Sequence, residues 1–382
     1  MSRLTRTGWG VAAGAALLAA GGLVAHYAAL AGLGLAGLAY LLLAFAFLAV
    51  RPRLSVQRSV SPNRVPVGIP ATGRLTVRNA GRLTAPRFEA VESVDGRPLT
   101  VPVAALAPRT TAELAYPIAT SYRGLLRLGP LVLRRVDPLG LARRDLALSG
   151  RDLLWVHPRI HRVAPLPVGV ALDFEGRLTD AAPHGSTAFA SLREYAPGDD
   201  PRHIHWPSTA RTGTLLVREH VDTTEPSVAM VLDTRSDLLD QQAFETAVEV
   251  CASVAAAAQR VGHTVSLVAL GEDAQAVTGL GGHGILDRLA ALSRVDGPQA
   301  SLVQLAERAP GGGCLLVATG RASGLAAQLA GQRRRFSRVL LVHCGRDERA
   351  RTLRRPGMTV VHAPDAASAA RSITGYVTGG QR

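Results

Sequence analysis

The sequence predicts a multidomain chain with an N-terminal transmembrane helical hairpin, a small antiparallel β-sandwich and a C-terminal α/β domain with a parallel sheet. Three observations predict this order. Two long uncharged stretches open the 382-residue chain, short alternating apolar and polar runs follow them, and strand-like runs alternate with helical stretches near the C-terminus. We place the domain boundaries at 1–53, 54–150, 151–225 and 226–382, where 151–225 is a connecting segment with a distinctive motif.

The hairpin prediction depends on the residues Thr7–Ala25 and Tyr27–Val50, which carry no charged side chain. A helix rises about 1.5 Å per residue and crosses the bilayer core in about 20 residues, so each stretch is long enough to span. His26 and Tyr27 form the polar break between them. The sequence therefore predicts a multi-pass protein of the cell membrane with two spans and direct contact with the lipid bilayer.

The orientation prediction comes from arginines on the two outer sides of the hairpin, Arg3, Arg6, Arg51, Arg53 and Arg58. The turn carries none, so the positive-inside tendency places both ends and all soluble domains in the cytoplasm. A cleavable signal peptide that ends near Ala20 is the alternative for the first span. In that case the second span acts as a stop, and the residues after Arg51 are still cytoplasmic.

The β-sandwich prediction covers Leu54 to about Leu148, where apolar and polar residues alternate over short runs. Examples are Gly73–Asn79 and Leu128–Val136, and proline, glycine and asparagine separate such runs at roughly ten-residue spacing. Val136–Gly140, "VDPLG", is typical of a turn, and we expect it to end the sandwich.

The parallel-sheet prediction comes from five buried-strand runs, Ser227–Asp233, His263–Leu270, Gly313–Thr319, Arg338–Cys344 and Met358–Ala363. A long helix that Gly262 ends follows the first run, and Gly284–Val295 predicts a second helix. Strands that alternate with helices indicate a mostly parallel sheet with helices on both faces.

Residue usage excludes several classes of chemistry. All 43 basic side chains are arginine, so the chain lacks the lysine that a phosphate-binding P-loop or a Schiff base needs. The three cysteines, Cys251, Cys314 and Cys344, form no CxxC pair, and buried reduced thiols fit a cytoplasmic compartment.

The net charge of +14 has three interpretations. It is compatible with nucleic-acid binding, with attraction to an anionic membrane surface, or with an arginine-rich coding bias. The arginines are spread along the chain, and the 4% of aromatic residues is too small a fraction for a base-stacking platform. Nucleic acid is therefore the least favoured of these partners.

The connecting segment contains the motif "REYAPGDDPRHIHWPSTARTG", Arg193–Gly213. Asp200 followed by Pro201 predicts a helix N-cap, and Pro207 predicts an extended Trp206 that ends a short helix. One interpretation is structural, with Arg193, Glu194, Asp199, Arg202 and Arg211 satisfying one another around a buried Trp206. The alternative is a metal-dependent hydrolase whose cluster is Asp199, Asp200, His203 and His205.

The motif resembles the signature of domain-of-unknown-function family 58. The residues that we assign to this structural and recognition motif are Arg193, Glu194, Tyr195, Gly198, Asp199, Asp200, Arg202, His205, Trp206, Ala210 and Arg211. The hairpin and the "YRGLLRLGP…DPLG" segment, Tyr122 to Gly140, agree with it. The resemblance implies a von Willebrand factor A-like domain and a membrane-bound protein that works beside a MoxR-type AAA+ ATPase. It implies no reaction, and many relatives have an acidic residue where this chain has His205.

A von Willebrand factor A-like domain would carry a metal-ion-dependent adhesion site after its first strand. Such a site needs an aspartate and two hydroxyl residues at alternate positions, which lie on one face and offer oxygen ligands to Mg²⁺. Here the alternate positions are Asp233, Arg235 and Asp237, and a later strand end offers Thr319. A guanidinium ligates no metal, so we predict a degenerate site without a metal cofactor, where Arg235 neutralises Asp233.

A glycine-rich stretch, Gly279–Gly284, matches the spacing GxGxxG and opens a predicted helix. It lies in the middle of its domain, and no acidic residue follows at the spacing of a dinucleotide-binding fingerprint. We interpret it as a loop before a helix.

The leading hypothesis is a scaffold or adaptor without a catalytic site, at the cytoplasmic face of the membrane. Its partner-binding surface would lie at the strand ends around Asp233, Arg235, Asp237 and Thr319. An AAA+ partner would supply the ATP chemistry that a lysine-free chain lacks. The hydrolase and a nucleic-acid-binding role are the alternatives.

Overall fold

The computed structural model describes residues 2–49, 52–148, 150–167, 187–196, 204–222, 226–269, 277–278, 283–296, 301–320, 324–346, 348–355 and 358–379. The chain divides into two compact units, Met1–His157 and Pro158–Arg382.

The first unit contains two helices, α1 (Arg6–Val24) and α2 (Ala28–Ala49), which are long and apolar enough to cross a membrane. They pack through small residues. A Cβ added to Gly34 would meet the backbone of Ala15 and Ala19, and one added to Gly22 would meet the backbone of Ala31. Glycine at these positions therefore lets the two helix backbones approach closely, as small residues do at membrane helix interfaces.

The strands of the first unit, in chain order, are β1 (Ser2–Leu4), β2 (Leu54–Ser61), β3 (Arg64–Pro66), β4 (Ala71–Asn79), β5 (Phe88–Val94), β6 (Arg97–Val103), β7 (Thr111–Ile118), β8 (Gly124–Leu128), β9 (Leu131–Val136), β10 (Ala142–Leu148) and β11 (Asp152–His157). They form two sheets. One has the order β1-β10-β9-β5-β8-β11-β3 with β6 paired to β5, and the other has the order β2-β4-β7.

The two sheets share one apolar core. Leu75 and Val77 on β4 are fully buried in the same cluster as Leu126 on β8 and Leu133 on β9. β4 alternates buried and exposed residues along most of its length, as expected for a strand with one face on a core. All pairs in these sheets are antiparallel except β11 with β3.

Two details differ from the sequence predictions. The run Leu128–Val136 is two strands, because Gly129 has a φ of 98° and Pro130 has no N–H to donate to a ladder. The turn after Val136 does not end the sandwich. It reverses the chain into β10, and β11 then pairs with β8 and β3, so the compact unit extends to His157.

A buried charge network joins the two sheets. Arg58 on β2 donates from Nη1 to Oε1 of Glu92 on β5 at 2.7 Å, and from Nη2 to Oδ2 of Asp152 on β11 at 2.6 Å. Tyr116 Oη donates to Glu92 Oε2 at 3.1 Å. Burial, and then the negative charge of Glu92, raise the pKa of Tyr116. The opposite charges of Glu92 and Arg58 therefore stabilise each other inside the sandwich.

The second unit contains, in chain order, β12 (Thr187–Glu194), α3 (Trp206–Thr212), β13 (Leu216–Asp222), β14 (Ser227–Leu232), α4 (Gln241–Arg260), β15 (Thr264–Ala269), β16 (Val277–Thr278), α5 (Gly284–Ala291), α6 (Leu302–Arg308), β17 (Gly312–Thr319), α7 (Leu325–Leu329), β18 (Phe336–Cys344), β19 (Arg351–Arg355), β20 (Met358–Ala363) and α8 (Ala366–Gly379).

Its main sheet has the order β16-β15-β14-β17-β18-β20-β19. The five central strands are parallel, and β16 and β19 add antiparallel edges that the sequence analysis did not predict. Separate apolar clusters cover the two faces. Phe244 of α4 and Ile373 of α8 belong to one cluster, and Leu305 of α6 belongs to the other. The mostly parallel sheet with helices on both faces is thus confirmed.

The helices of this unit have clear local causes. Asp240 caps α4 by accepting from the Ala243 N–H at 2.7 Å, and Gly262, with a φ of 76°, follows its end as predicted. α5 is shorter than predicted, because Leu292 leaves the helix with a ψ of 138°. A separate two-stranded ribbon pairs β12 with β13.

Candidate functional site

The candidate site lies at the carboxyl edge of the parallel sheet, where β14 ends. Asp233 is the first residue after β14, it is fully buried, and its N–H donates to Ala318 O on β17 at 2.9 Å. The side chains that surround its carboxylate come from the following loop and from the end of β17. This edge is where open α/β sheets present ligand-binding and partner-binding groups.

Four donors reach the Asp233 carboxylate. Arg235 donates from Nε to Oδ1 and from Nη2 to Oδ2, both at 2.9 Å, and its backbone N–H donates to Oδ1 at 3.2 Å. Thr319 Oγ1 donates to Oδ2 at 2.6 Å. An ionised carboxylate has about four lone-pair sites. Both oxygens of Asp233 therefore have their acceptor capacity used by protein donors, and a cation could bind them only by displacing Arg235 or Thr319.

The charges of the pair stabilise each other. The hydrogen bond to Asp233 raises the pKa of Arg235, burial opposes that rise, and the charges of Asp233 and Asp237 add to it. Asp237 is exposed and contributes through charge. Of the three alternate positions that were predicted as one site, Asp233 and Arg235 thus form an ion pair. The third, Asp237, lies at the surface.

The loop that carries Arg235 is fixed by a short segment after α5. Arg235 forms a parallel bridge with Val295, Ser236 N–H donates to Val295 O at 3.2 Å, and Val295 N–H donates to Thr234 O at 2.9 Å. Ser236 Oγ also hydrogen-bonds Asp296. The guanidinium is therefore presented from a loop that is anchored on both sides.

Sequence reasoning missed two histidines at the same edge. Thr319 on β17 is in register with His343 on β18, which is in register with His362 on β20. The two imidazole rings stack with centroids 5.0 Å apart and an interplanar angle of 29°. His343 Nδ1 donates to Gly320 O at 2.8 Å, and His362 Nδ1 lies 2.9 Å from Glu348 Oε2. A polar row therefore continues from Asp233 across three strands.

The motif Arg193–Gly213 within the connecting segment is described only in part. Gly198, Asp199, Asp200, Arg202 and His203 lie outside the described residues, and so does the proposed N-cap at Asp200. Glu194 ends β12 and Tyr195 follows it, while Arg193 is described only through its backbone in β12.

The end of the motif forms α3, which contains Ala210 and Arg211, both exposed. Two expectations for this part are wrong. Trp206 is 63% exposed and does not form a buried centre, and it begins a helix where we expected one to end. The reason is that Pro207 lies in the first helical turn, where a missing N–H costs no hydrogen bond.

His205 precedes α3 and its Nδ1 lies 2.7 Å from Ser208 Oγ. Among the described residues, no group of three or more His, Cys, Asp and Glu side chains could hold a metal ion. Of the glycine-rich stretch, Gly279–Gly282 are not described, and Gly284 begins α5 as expected.

Part of this unit is similar to a known protein family. Residues 191–307 match the family model "Protein of unknown function DUF58". The matched range contains the described end of the motif, Asp233 and Arg235, and it stops before Thr319 and the two stacked histidines. The DUF58 match therefore covers the amino-terminal half of the candidate site.

One curated relative is the protein YeaD of Bacillus subtilis (strain 168), described as uncharacterised. It is 28% identical over 168 residues, which are 43% of this chain and 41% of YeaD. The match thus spans about two fifths of the length of that relative.

Solved structures with some likeness include the CARDB domain of the PF1109 protein from Pyrococcus furiosus, which is 18% identical and covers 25% of this chain and 92% of that one with a TM-score of 0.20. A domain of a putative cell surface protein from Methanosarcina acetivorans is 18% identical and covers 30% of this chain and 98% of that one with a TM-score of 0.21.

Proposed function

We propose that the protein is a membrane-anchored adaptor whose second unit binds protein partners at the cytoplasmic face through the carboxyl edge of its parallel sheet. In this proposal the unit is a von Willebrand factor A-like domain with a degenerate metal site. The observation that carries the proposal is the filled coordination of Asp233, whose two oxygens accept from Arg235 and Thr319. A protein-supplied cation replaces the bound metal that would otherwise prepare this edge.

The chemistry of the edge supports binding more than catalysis. The guanidinium of Arg235 is held in place by Asp233 and remains partly exposed, with 22% of its side-chain area accessible. Asp237 places a carboxylate at the surface nearby. Fixed charges of both signs on an anchored loop can select a complementary partner surface. Because the loop is already ordered before binding, less conformational entropy is lost when the partner binds.

The partner that we propose is a MoxR-type AAA+ ATPase. The support is the DUF58 match over residues 191–307, together with the resemblance of the motif, and the absence of lysine, which leaves ATP chemistry to another chain. The helices α1 and α2 support anchoring, and the arginines on both outer sides of the hairpin support a cytoplasmic location of both soluble parts.

Site-specific photo-crosslinking in native membranes tests the partner surface. A photo-reactive residue in place of exposed Asp237 should crosslink the ATPase. The same residue in place of Val261, which is 48% exposed after α4 at the opposite edge of the sheet, is the matched control. Equal products from both positions, or an Asp237 product that lacks an ATPase, would contradict the proposal.

Protease digestion of inverted vesicles tests the orientation separately. The residues after α2 should be cut while the hairpin stays protected, because both soluble parts then face the added protease. Complete protection of the C-terminal part would place it on the other side of the membrane.

A further inference from the structure

We propose that an arginine pocket beside the first membrane helix binds the phosphate of an anionic phospholipid headgroup. The pocket lies in the first unit and is lined by Arg3 on β1, Val132 on β9, and Arg143, Asp145 and Ala147 on β10, with a volume of about 360 Å³. This inference rests on the membrane anchoring in the proposed function and goes beyond it by assigning a lipid site.

The membrane helices are tied directly to the strands that form the pocket. β1 pairs with β10, and Thr5 both donates from Oγ1 to Gly140 O at 2.6 Å and caps α1 by accepting from Gly8 N–H at 3.0 Å. The chain passes from β1 through Thr5 alone into α1. The position of the pocket relative to the start of α1 is therefore fixed by backbone pairing.

The end of α2 is tied to the same corner of the sheet. Arg135 Nη2 donates to Phe47 O and Arg144 Nη1 donates to Leu48 O, both at 2.9 Å, so two arginines satisfy carbonyls of the last helical turn. The Arg135 guanidinium also lies 4.5 Å from the centroid of the Phe47 ring. Both helices thus meet the sheet within a few residues of the pocket.

This attachment places Arg3 at headgroup depth. The polar layer on each side of the hydrocarbon core is about 5–7 Å thick. Arg3 precedes the N-cap of α1 by two residues, and two extended residues span about 7 Å. If α1 crosses the hydrocarbon core, Arg3 lies among the lipid phosphates.

The side chains of the pocket suit a phosphate. Arg3 and Arg143 are directly opposite each other on paired strands, so their side chains leave the same face of the sheet. Asp145 is shared by two cations, since Arg134 Nε lies 3.2 Å and Arg143 Nε lies 4.0 Å from its carboxylate oxygens. Two arginines therefore share one carboxylate, and Arg3 adds a third positive charge to the same pocket, so the local charge is positive.

Arginine and phosphate match in shape as well as in charge. A guanidinium can donate two parallel hydrogen bonds to a phosphate, and two arginines on neighbouring strands can hold it from both sides. The side chain of Arg143 is 43% exposed, and Val132 and Ala147 add an apolar wall. An anion that carries an apolar extension fits this combination better than a free phosphate does.

Native mass spectrometry of the full-length protein, released from detergent micelles, tests the proposal. Phosphatidylglycerol should bind with a defined first site, while phosphatidylcholine should bind more weakly. The double variant Arg3→Gln/Arg143→Gln should lower the affinity for the first phosphatidylglycerol by about tenfold or more. The reason is that each charged hydrogen bond contributes a free energy that corresponds to about a tenfold change in affinity. The matched control is Arg82→Gln/Arg97→Gln, which removes two exposed arginines of the same unit and should leave affinity unchanged.

The outcomes separate the possible occupants. Equal affinity of the double variant and the control would overturn the proposal, and so would inorganic phosphate that competes with the lipid at similar concentration. If the glutamine variant fails to fold, Arg3→Lys/Arg143→Lys keeps the charge and should still weaken binding, because lysine cannot make the bidentate contact.

Carbonate extraction of membranes tests the membrane anchoring independently of lipid binding in the pocket. Retention of the double variant in the membrane, with lost lipid affinity, is the expected result. Release of the unmodified chain by carbonate would contradict the anchoring, whereas the lipid titration would still report on the pocket.

Discussion

Arg235 and Asp233 form a bidentate ion pair in which Nε and Nη2 of the arginine each lie 2.9 Å from a different carboxylate oxygen. The carboxylate is fully buried, and Thr319 completes its hydrogen bonding. In this arrangement the protein itself provides the positive charge that a buried aspartate needs. We therefore expect the pair to govern both the stability of the sheet edge and its response to divalent metal.

Replacing the arginine should make this edge responsive to magnesium. Arg235→Ser removes the guanidinium and adds a hydroxyl between Asp233 and Asp237, so that oxygen ligands occupy alternate positions. Mg²⁺ should then raise the thermal unfolding midpoint of the variant, because a ligand that binds only the folded state stabilises it. Differential scanning fluorimetry with and without Mg²⁺ measures this, and the unmodified chain should not respond. Stoichiometric Mg²⁺ binding by the unmodified chain, lost on Asp233→Ala, would refute the degenerate-site proposal.

Removing the Thr319 donor to Asp233 should lower the free energy of unfolding while leaving the side-chain volume nearly unchanged. Thr319→Val keeps the shape of the side chain but removes one of the two donors to Oδ2, which leaves that oxygen of a buried carboxylate with Arg235 as its remaining partner. We expect a loss of about 1–3 kcal/mol in the free energy of unfolding. Chemical denaturation measures the loss. Thr352→Val, on the exposed edge strand β19, is the control and should change stability by less than about 0.5 kcal/mol.

Pattern in the sequence was enough to predict the five central strands and the long helix α4 of the second unit. Continuous aliphatic runs predicted the five central strands, and Gly262 follows the end of α4 where expected. These features depend on nearby residues alone. The alternate spacing of Asp233 and Arg235 likewise predicted that these two side chains lie on one face, and the structure shows them in contact.

The missed features depend on strand order or on competing local rules. His343 and His362 stack because β18 and β20 are neighbours although β19 lies between them in sequence, and periodicity does not report strand order. The run Leu128–Val136 matched a strand pattern, but Gly129 and Pro130 divide it. A residue before proline is usually extended, and this rule predicted an extended Trp206. Trp206 is helical instead, because Pro207 lies in the first turn of α3, where proline is favoured.

In the charge network of the first unit, removing the buried partner of Arg58 should cost more stability than removing its exposed partner. Glu92→Gln leaves Arg58 without its buried counter-charge, whereas Asp152→Asn removes a partner whose side chain is 50% exposed. We expect a cost of about 3–5 kcal/mol for Glu92→Gln, against about 1 kcal/mol or less for Asp152→Asn. Thermal or chemical unfolding in detergent micelles measures the two side by side. Similar costs would show that burial does not decide the strength of this network.

The three buried thiols should give the second unit a characteristic alkaline response. Burial raises the pKa of Cys251 and of Cys314 to about 12, from an ordinary value of 9.0, and also raises the pKa of Cys344. The folded state therefore keeps these protons at a pH where the unfolded chain has lost them. The stability that they contribute is fully present below about pH 9 and declines as the pH rises toward the folded values.

Cys251→Ala tests the sign and the size of this effect. The free energy of unfolding of the unmodified chain should fall between pH 9 and 11, with a slope of at most about 1.4 kcal/mol per pH unit for each thiol. The variant should show a shallower slope, whatever the cost of the lost sulfur at neutral pH. Ellman's reagent gives an independent measurement, because thiols held protonated and buried should react only after unfolding. Rapid labelling of the folded protein at pH 8 would contradict the burial of these three cysteines in the apolar cluster on one face of the sheet.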